Sequence, residues 1–378
     1  IEQISYKKGH VKWHGKFIVV SNLLNKTVLK DLSRSKAEEL KKENYYATTS
    51  SKIEGQEKYR ENRLKRILKN KTWKDLQKDF IELMKNNMPR KRYDFYRQIA
   101  AWMELNPQKM DLVTNMLLQT KKLNPAVSTI ISALSDVQHP KAQEVLKTVI
   151  EKHHDNHDMA AMAISCLGLV QKPSRETVRL FQNLKDTSLN DQVKTTATLA
   201  LGNVIGVIRK KDPSRAAALV YDIEKSLQTS NTFKEKKVLL STLGNAGSNS
   251  SLEFIEPYLR DKNSEIQKRA ISALRYIDDP KVDILLTDEL KKSKSLHVQN
   301  NILETMSYRS PNKITFDTLK NKIVNEKSER LKIKEAKMLW QMRKKFPQAS
   351  SIVKHYAQND PSKKVRQSLK AIMLVDHK

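Results

Sequence analysis

Apolar residues recur at three- and four-residue spacing along much of the chain, and short polar breaks interrupt the pattern. In the stretch 144–150, Val145, Leu146, Val149 and Ile150 share one helical face. Val193, Ala197, Leu199 and Ala200 do the same, as do Ile266, Ala270, Ala273 and Leu274, and later Val365, Leu369 and Ile372. The apolar set Leu252, Phe254, Ile255, Tyr258 and Leu259 predicts one more helix. A self-similar unit underlies these stripes. A small or apolar pair closes a helix at Ala133-Leu134, Cys166-Leu167, Ala200-Leu201, Thr242-Leu243, Ala273-Leu274 and Thr305-Met306. The intervals are 33, 34, 42, 31 and 32 residues. Each pair is followed by a short polar stretch with Pro, Gly, Asn or Asp, and then by a second helix. Strand character is confined to residues 1–22, notably Phe17 to Val20.

One helical hairpin cannot bury both of its faces, whereas stacked hairpins bury a continuous core. The pattern therefore predicts an all-α chain, an α-solenoid of HEAT-like hairpins with a short irregular or β-containing N-terminus. Residues 1–22 read as an extended segment, 23–105 as a basic helical segment with a loop at Ala47–Ser51, 106–310 as the repeat core, and 311–378 as basic C-terminal repeats and cap. Glycine is scarce, 8 in 378 residues, yet Gly244 and Gly247 lie three apart. Gly202, Asn203, Gly244, Asn245 and Gly247 are expected at hairpin corners, with Gly244 or Gly247 supplying the positive φ that closes a helix. Ser250 and Glu253 have capping-box spacing for the next helix. A phosphate-cradling loop is the disfavoured rival there, because the stretch lacks a preceding strand and the G-x-x-x-x-G-K-[ST] spacing.

Charge changes the picture at the two ends. The net charge is +29, of which +13 falls in residues 1–100, +1 in 101–200, +4 in 201–300 and +11 in 301–378. A nucleic-acid groove running the whole length does not predict that neutral middle. Two clusters stand out: Arg90, Lys91, Arg92 and Arg97, interleaved with Tyr93, Phe95, Tyr96 and Trp102, and then Arg343, Lys344, Lys345, Lys363, Lys364 and Arg366. They are candidate contacts for anionic lipid, an acidic partner surface or nucleic acid. The plainer alternatives are solvated helix faces over buried aromatics and the polar outer face of a terminal repeat. Trp340 and Phe346 are expected to pack on the preceding unit. No apolar run is long enough to span a bilayer.

Candidate chemistry is thin. His153, His154 and His157 with Asp155 and Asp158 could suggest zinc, since His153 and His157 are four apart. The H-E-x-x-H order is absent and the stretch falls between two helices, so it reads as a polar turn. The single cysteine, Cys166, sits in an apolar helix end and reads as a small core residue. No nucleophile elbow, paired catalytic carboxylates or cofactor motif is legible, and the chain reads as a non-enzyme with no cofactor. DNA glycosylases built on HEAT-like repeats need a catalytic Asp and a basic concave groove, which cannot be placed here.

The run from about Leu112 to Ser310 resembles the helical domain of the large lipid transfer proteins, the group of vitellogenin, microsomal triglyceride transfer protein and apolipoprotein B. The carriers are LLQTKKLNPAVSTIISALSDVQHPKAQEVLKTVI, CLGLVQKPSRETVRLFQNL, TATLALGNVIG and KKVLLSTLGNAGSNSSLEFIEPYLRD followed by QKRAISALRYI. The resemblance implies a right-handed, curved double layer of helices that wraps lipid-enclosing β-sheets. It departs from the family after residue 310, where no succession of alternating strands follows, and at the N-terminus, where the family's β-barrel is missing or reduced. The implied role is a binding or scaffold module that engages a protein partner, an amphipathic element or lipid on its concave face. A nucleic-acid-binding repeat protein and a general protein scaffold are the alternatives. The chain begins at Ile1 rather than Met, which tilts the expected compartment towards export.

Overall fold

The computed structural model describes residues 2–8, 11–17, 45–86, 88–137, 139–153 and 155–375. It divides into two units, residues 1–71 and 72–378. In the first, strands β1 (Glu2–Lys8) and β2 (Val11–Phe17) pair antiparallel, with Tyr6 opposite Trp13. Phe17 ends β2, and the rest of the expected Phe17–Val20 strand lies outside the described residues. Helix α1 (Tyr45–Leu68) follows and runs through Ala47–Ser51, where a loop is expected. No proline interrupts that stretch, and Ser and Thr cost only tenths of a kcal/mol in a helix, so the strong helix formers downstream carry it through.

The second unit is a double layer. One layer holds α3 (Pro89–Leu105), α5 (Pro125–Asp136), α7 (His157–Leu167), α9 (Asp191–Arg209), α11 (Phe233–Ala246), α13 (Ser264–Ala273), α15 (Leu296–Met306), α17 (Glu329–Met342) and α19 (Lys363–Val375). The other holds α2 (Trp73–Lys85), α4 (Asp111–Leu118), α6 (Pro140–Lys152), α8 (Arg175–Thr187), α10 (Pro213–Thr229), α12 (Leu252–Ile255), α14 (Pro280–Lys292), α16 (Lys313–Asn325) and α18 (Gln348–Asn359). Every odd-numbered helix packs on the next odd one from α3 to α19. The even layer is looser, with α4 on α6, α10 on α12 and α14 on α16. The core lies between the layers, in residues such as Phe95, Ile130, Leu146, Phe181 and Leu243.

Polar breaks start these helices by capping them. Asn124, Asn190, Asn263 and Asn312 each accept from a backbone N–H of the first turn, as do Ser174, Thr232, Ser295 and Ser328. Proline occupies the first position of α5, α6, α10 and α14, where its missing N–H costs nothing. Small residues set the tight spacing of the odd layer. A Cβ on Gly202 would lie 2.5 Å from the Thr242 carbonyl oxygen, and one on Gly244 would lie 2.6 Å from Ala273 Cα.

Several expectations about the corners are corrected. Gly202 and Asn203 sit inside α9, and Gly244 and Asn245 inside α11, so none of the four is a turn residue. Their role is close approach between neighbouring helices. Of the five, only Gly247 takes the left-handed conformation, φ 63°, and it caps α11 through a bond from its N–H to the Leu243 carbonyl. The Ser250/Glu253 capping box does not form. The Ser250 and Ser251 hydroxyls instead donate, each at 2.8 Å, to the buried Glu224 carboxylate of α10. The helix expected over 252–259 is only four residues long and continues as a 3-10 turn, Glu256–Arg260, with Pro257 within it.

Candidate functional site

The two basic clusters lie at opposite ends of the second unit's helix series, and most of their charges are already engaged. On α3, Phe95 and Trp102 are buried, and Lys91 pairs with Glu82 and lies 3.6 Å from Asp79. The Glu82 contact holds the Lys91 ammonium above its ordinary pKa. Arg97 lies 5.9 Å from the Tyr93 ring centre, Arg90 is exposed, and Arg92 flanks a shallow hollow beside Tyr96. Burial and the hydrogen bond to Asp136 push the Tyr96 phenol up to about 12. Toward the C-terminus, Arg343 donates to the Trp340 carbonyl at 2.8 Å, Lys345 to the Pro311 carbonyl at 2.8 Å, and Arg366 to the Asp360 and Pro361 carbonyls. Lys364 lies 3.8 Å from Glu329, and Lys344 and Lys363 point to solvent. Phe346 stacks on Phe316 of the preceding hairpin at 4.7 Å.

The Arg343 and Lys345 contacts belong to a wider arrangement at the corners where odd helices end and even helices begin, whereas Arg366 sits on the opposite edge, between α18 and α19. Helix C-termini leave carbonyls unpaired and carry partial negative charge, which cations complement. Arg209 Nε donates to the Ala246 carbonyl at 3.1 Å. Arg275 donates to the Ser272 carbonyl at 2.8 Å and to the Asn245 amide oxygen. Arg309 is almost fully buried; it grips Asp283 through two bonds of 2.7 and 3.0 Å and also donates to the Leu274, Ile277 and Asp279 carbonyls. Arg275, Arg309 and Arg343 recur every 34 residues, so the sequence carried a signal for this ladder. Beneath the ladder lies a cleft of about 660 Å³ that reaches from Leu169 past Arg209 and Arg275 to Lys345. Tyr276 and Tyr308 meet edge-on in it, with ring centres 5.9 Å apart.

The outward face of the odd layer is polar. Ser128, Ser132, Ser165, Thr195, Ser241 and Ser272 occupy its exposed or half-buried positions. From α5 to α17, the exposed large apolar side chains on odd helices are Phe233 and Leu296, each the first residue of its helix. Cys166 is buried, and desolvation pushes its thiol up to about 11. His153 ends α6 and His157 begins α7, so the two do not share a helix. Among the described residues no group of three His, Cys, Asp or Glu is placed to hold a metal. No described helix is long and apolar enough to cross a membrane.

Stacked hairpins in two layers, packed across small residues and capped at most helix starts, define the class as a double-layered α-solenoid. The chain belongs to the vitellogenin TPR domain family, whose pattern matches residues 64–287, more than half of its length. The match starts ahead of the Leu112–Ser310 run and stops 23 residues short of its end. The structure of lipovitellin, solved in a study of lipid–protein interactions, is similar with a TM-score of 0.51 and 17% identity over 79% of this chain and 34% of that one. This chain thus spans about a third of that structure's length, and likeness at such identity shows the fold alone. The CpcE–CpcF complex of phycocyanin lyase from Nostoc sp. PCC7120 matches at a TM-score of 0.39, 17% identity, 69% of this chain and 94% of that one. Human deoxyhypusine hydroxylase matches at 0.33, 16% identity, 72% and 98%. Both scores are too low to bear on function. No curated protein matches the chain.

Proposed function

We propose that the chain is a non-enzymatic scaffold, a helical module of a lipid-carrying assembly, and that it holds a partner polypeptide against its odd layer. The single observation that carries this is the polarity of that layer. Its outward positions carry hydroxyls such as Ser165, Thr195 and Ser241 with half-buried Met162, Leu199 and Val238 between them, and its fully buried apolar residues lie between the layers. A lipid-holding surface needs contiguous exposed apolar area, and hydroxyl and amide groups over a rigid backbone suit a polypeptide instead. In this reading the lipid is carried by the partner elements. The low net charge of residues 101–300 argues against a phosphate-tracking surface that runs the length of the chain.

The test is native mass spectrometry of the protein purified gently from its source. A stoichiometric polypeptide partner, with no lipid bound directly to this chain after the partner is removed, is the expected result. Lipid retained by the isolated chain, or nucleic acid released steeply with salt, overturns the reading.

A further inference from the structure

We propose that the corner cleft binds an extended, acidic segment of a partner polypeptide. The inference rests on the scaffold reading above and names the chemistry of one contact. Three observations carry it. The first is charge. Arg209, Lys210, Arg275 and Lys345 line the cleft with no carboxylate partner, since Arg209, Arg275 and Lys345 spend their bonds on neutral oxygens and Lys210 is exposed. Of the two carboxylates on the lining, Asp283 is neutralised by Arg309, which leaves Asp278. The cleft is therefore net positive, and Arg209, Lys210 and Arg275 come from residues 201–300, whose net charge is only +4.

The second observation is shape. The lining comes from the ends of α7, α9, α11, α13 and α15 and the turn after α17. At a helix spacing of about 8–10 Å, that run is roughly 40–50 Å long. An extended strand rises about 3.3 Å per residue, so a segment of about twelve residues matches it. A single small anion would fill one corner. A bilayer surface would meet the rim and not the recess.

The third observation is the placement of apolar anchors between the cations. Leu169, Tyr276 and Tyr308, in the turns after α7, α13 and α15, are exposed by 58, 46 and 57%. Tyr276 also lies under Arg275, at 4.8 Å. Cations that alternate with aromatic rings read alternating acidic and apolar side chains along an extended backbone. The Asn203 amide, half-buried on the lining and without a hydrogen bond to another described residue, is a ready contact for that backbone.

Fluorescence anisotropy of the full chain with a labelled peptide of about twelve residues, alternating Glu and Leu, tests this. Its Lys/Leu counterpart and phosphatidylserine vesicles are the comparison probes. The Glu/Leu peptide is expected to bind, and the Lys/Leu peptide to fail. Lys210→Glu with Lys345→Glu is expected to weaken binding about tenfold or more, and Tyr308→Ala to weaken it with no change of charge. Lys291→Glu with Lys292→Glu, on the opposite edge, is expected to change nothing. Equal binding by the two double variants overturns the proposal, as does no binding of the Glu/Leu peptide. Vesicle binding that the cleft variants abolish also overturns it, in favour of a lipid headgroup surface. If the cleft variants leave an endogenous polypeptide in place, the cleft assignment falls and the scaffold reading stands. If no polypeptide co-purifies at all, the scaffold reading falls.

Discussion

Gly202 illustrates how single positions set the spacing of the odd layer. Replacing it with alanine gains roughly 1 kcal/mol of helix propensity. The new Cβ, however, meets the Thr242 backbone at 2.5 Å, where no flexible side-chain end can move aside. Overpacking of that kind costs about 1–3 kcal/mol, so Gly202→Ala is expected to lower the melting temperature in spite of its better propensity. Glu335 is the second informative position. It is fully buried on α17, accepts no hydrogen bond, and has the Lys322 ammonium 3.5 Å away, itself bonded to Glu326. Burial pushes its carboxyl up to about 7. The folded state thus holds a proton that the unfolded chain releases near its ordinary value of 4.5. That contribution is complete at acid pH and is lost as pH rises through the folded value. Glu335→Gln keeps the neutral shape, so calorimetry is expected to find it stabilising at about pH 8, by up to roughly 3 kcal/mol, and nearly neutral at about pH 3.5, below the unfolded value. Equal shifts at both pH values contradict this account.

At the scale of the element, the unit of the fold is a capped hairpin tied to its neighbour by a cation at the corner. Arg309 is the strongest tie, because one side chain serves Asp283 and three carbonyls. Removing it leaves a partly buried carboxylate and helix-end carbonyls unpaired. Arg309→Ala is expected to cost about 3 kcal/mol, read as an earlier loss of helix signal on heating, with Asp283→Asn milder. Much at this scale was legible in the sequence. The apolar stripes, the Asn-Pro and Asp-Pro starts and the six recurring small-residue pairs define hairpins that the structure contains. The glycines were not legible in the same way. A sequence shows that Gly244 lacks a side chain, but not that Ala273, 29 residues on, occupies the space. The stretch 252–259 shows a helical stripe, whereas Pro257 withholds the N–H that a longer helix needs.

At the scale of the molecule, the odd layer is the continuous spine and the even layer the looser cover. That asymmetry puts the polar, close-packed face and the basic corner cleft on different aspects of one array. Neither was visible from composition. The net charge of +29 suggested anion-binding ends, yet the cleft takes only Lys345 from the C-terminal cluster, and its other cations without a carboxylate partner, Arg209, Lys210 and Arg275, lie mid-chain. A run of 34-residue spacings in arginine hinted at the ladder, but the cleft beneath it is a product of packing.

The most direct measurement is native mass spectrometry of the gently purified protein beside a variant carrying Ser165→Arg and Ser241→Arg, two substitutions on the polar face of the odd layer. The account predicts a stoichiometric polypeptide on the wild type, lost from the variant while its melting temperature is retained. A partner held equally by both proteins, or lipid bound to this chain in the partner's place, contradicts it.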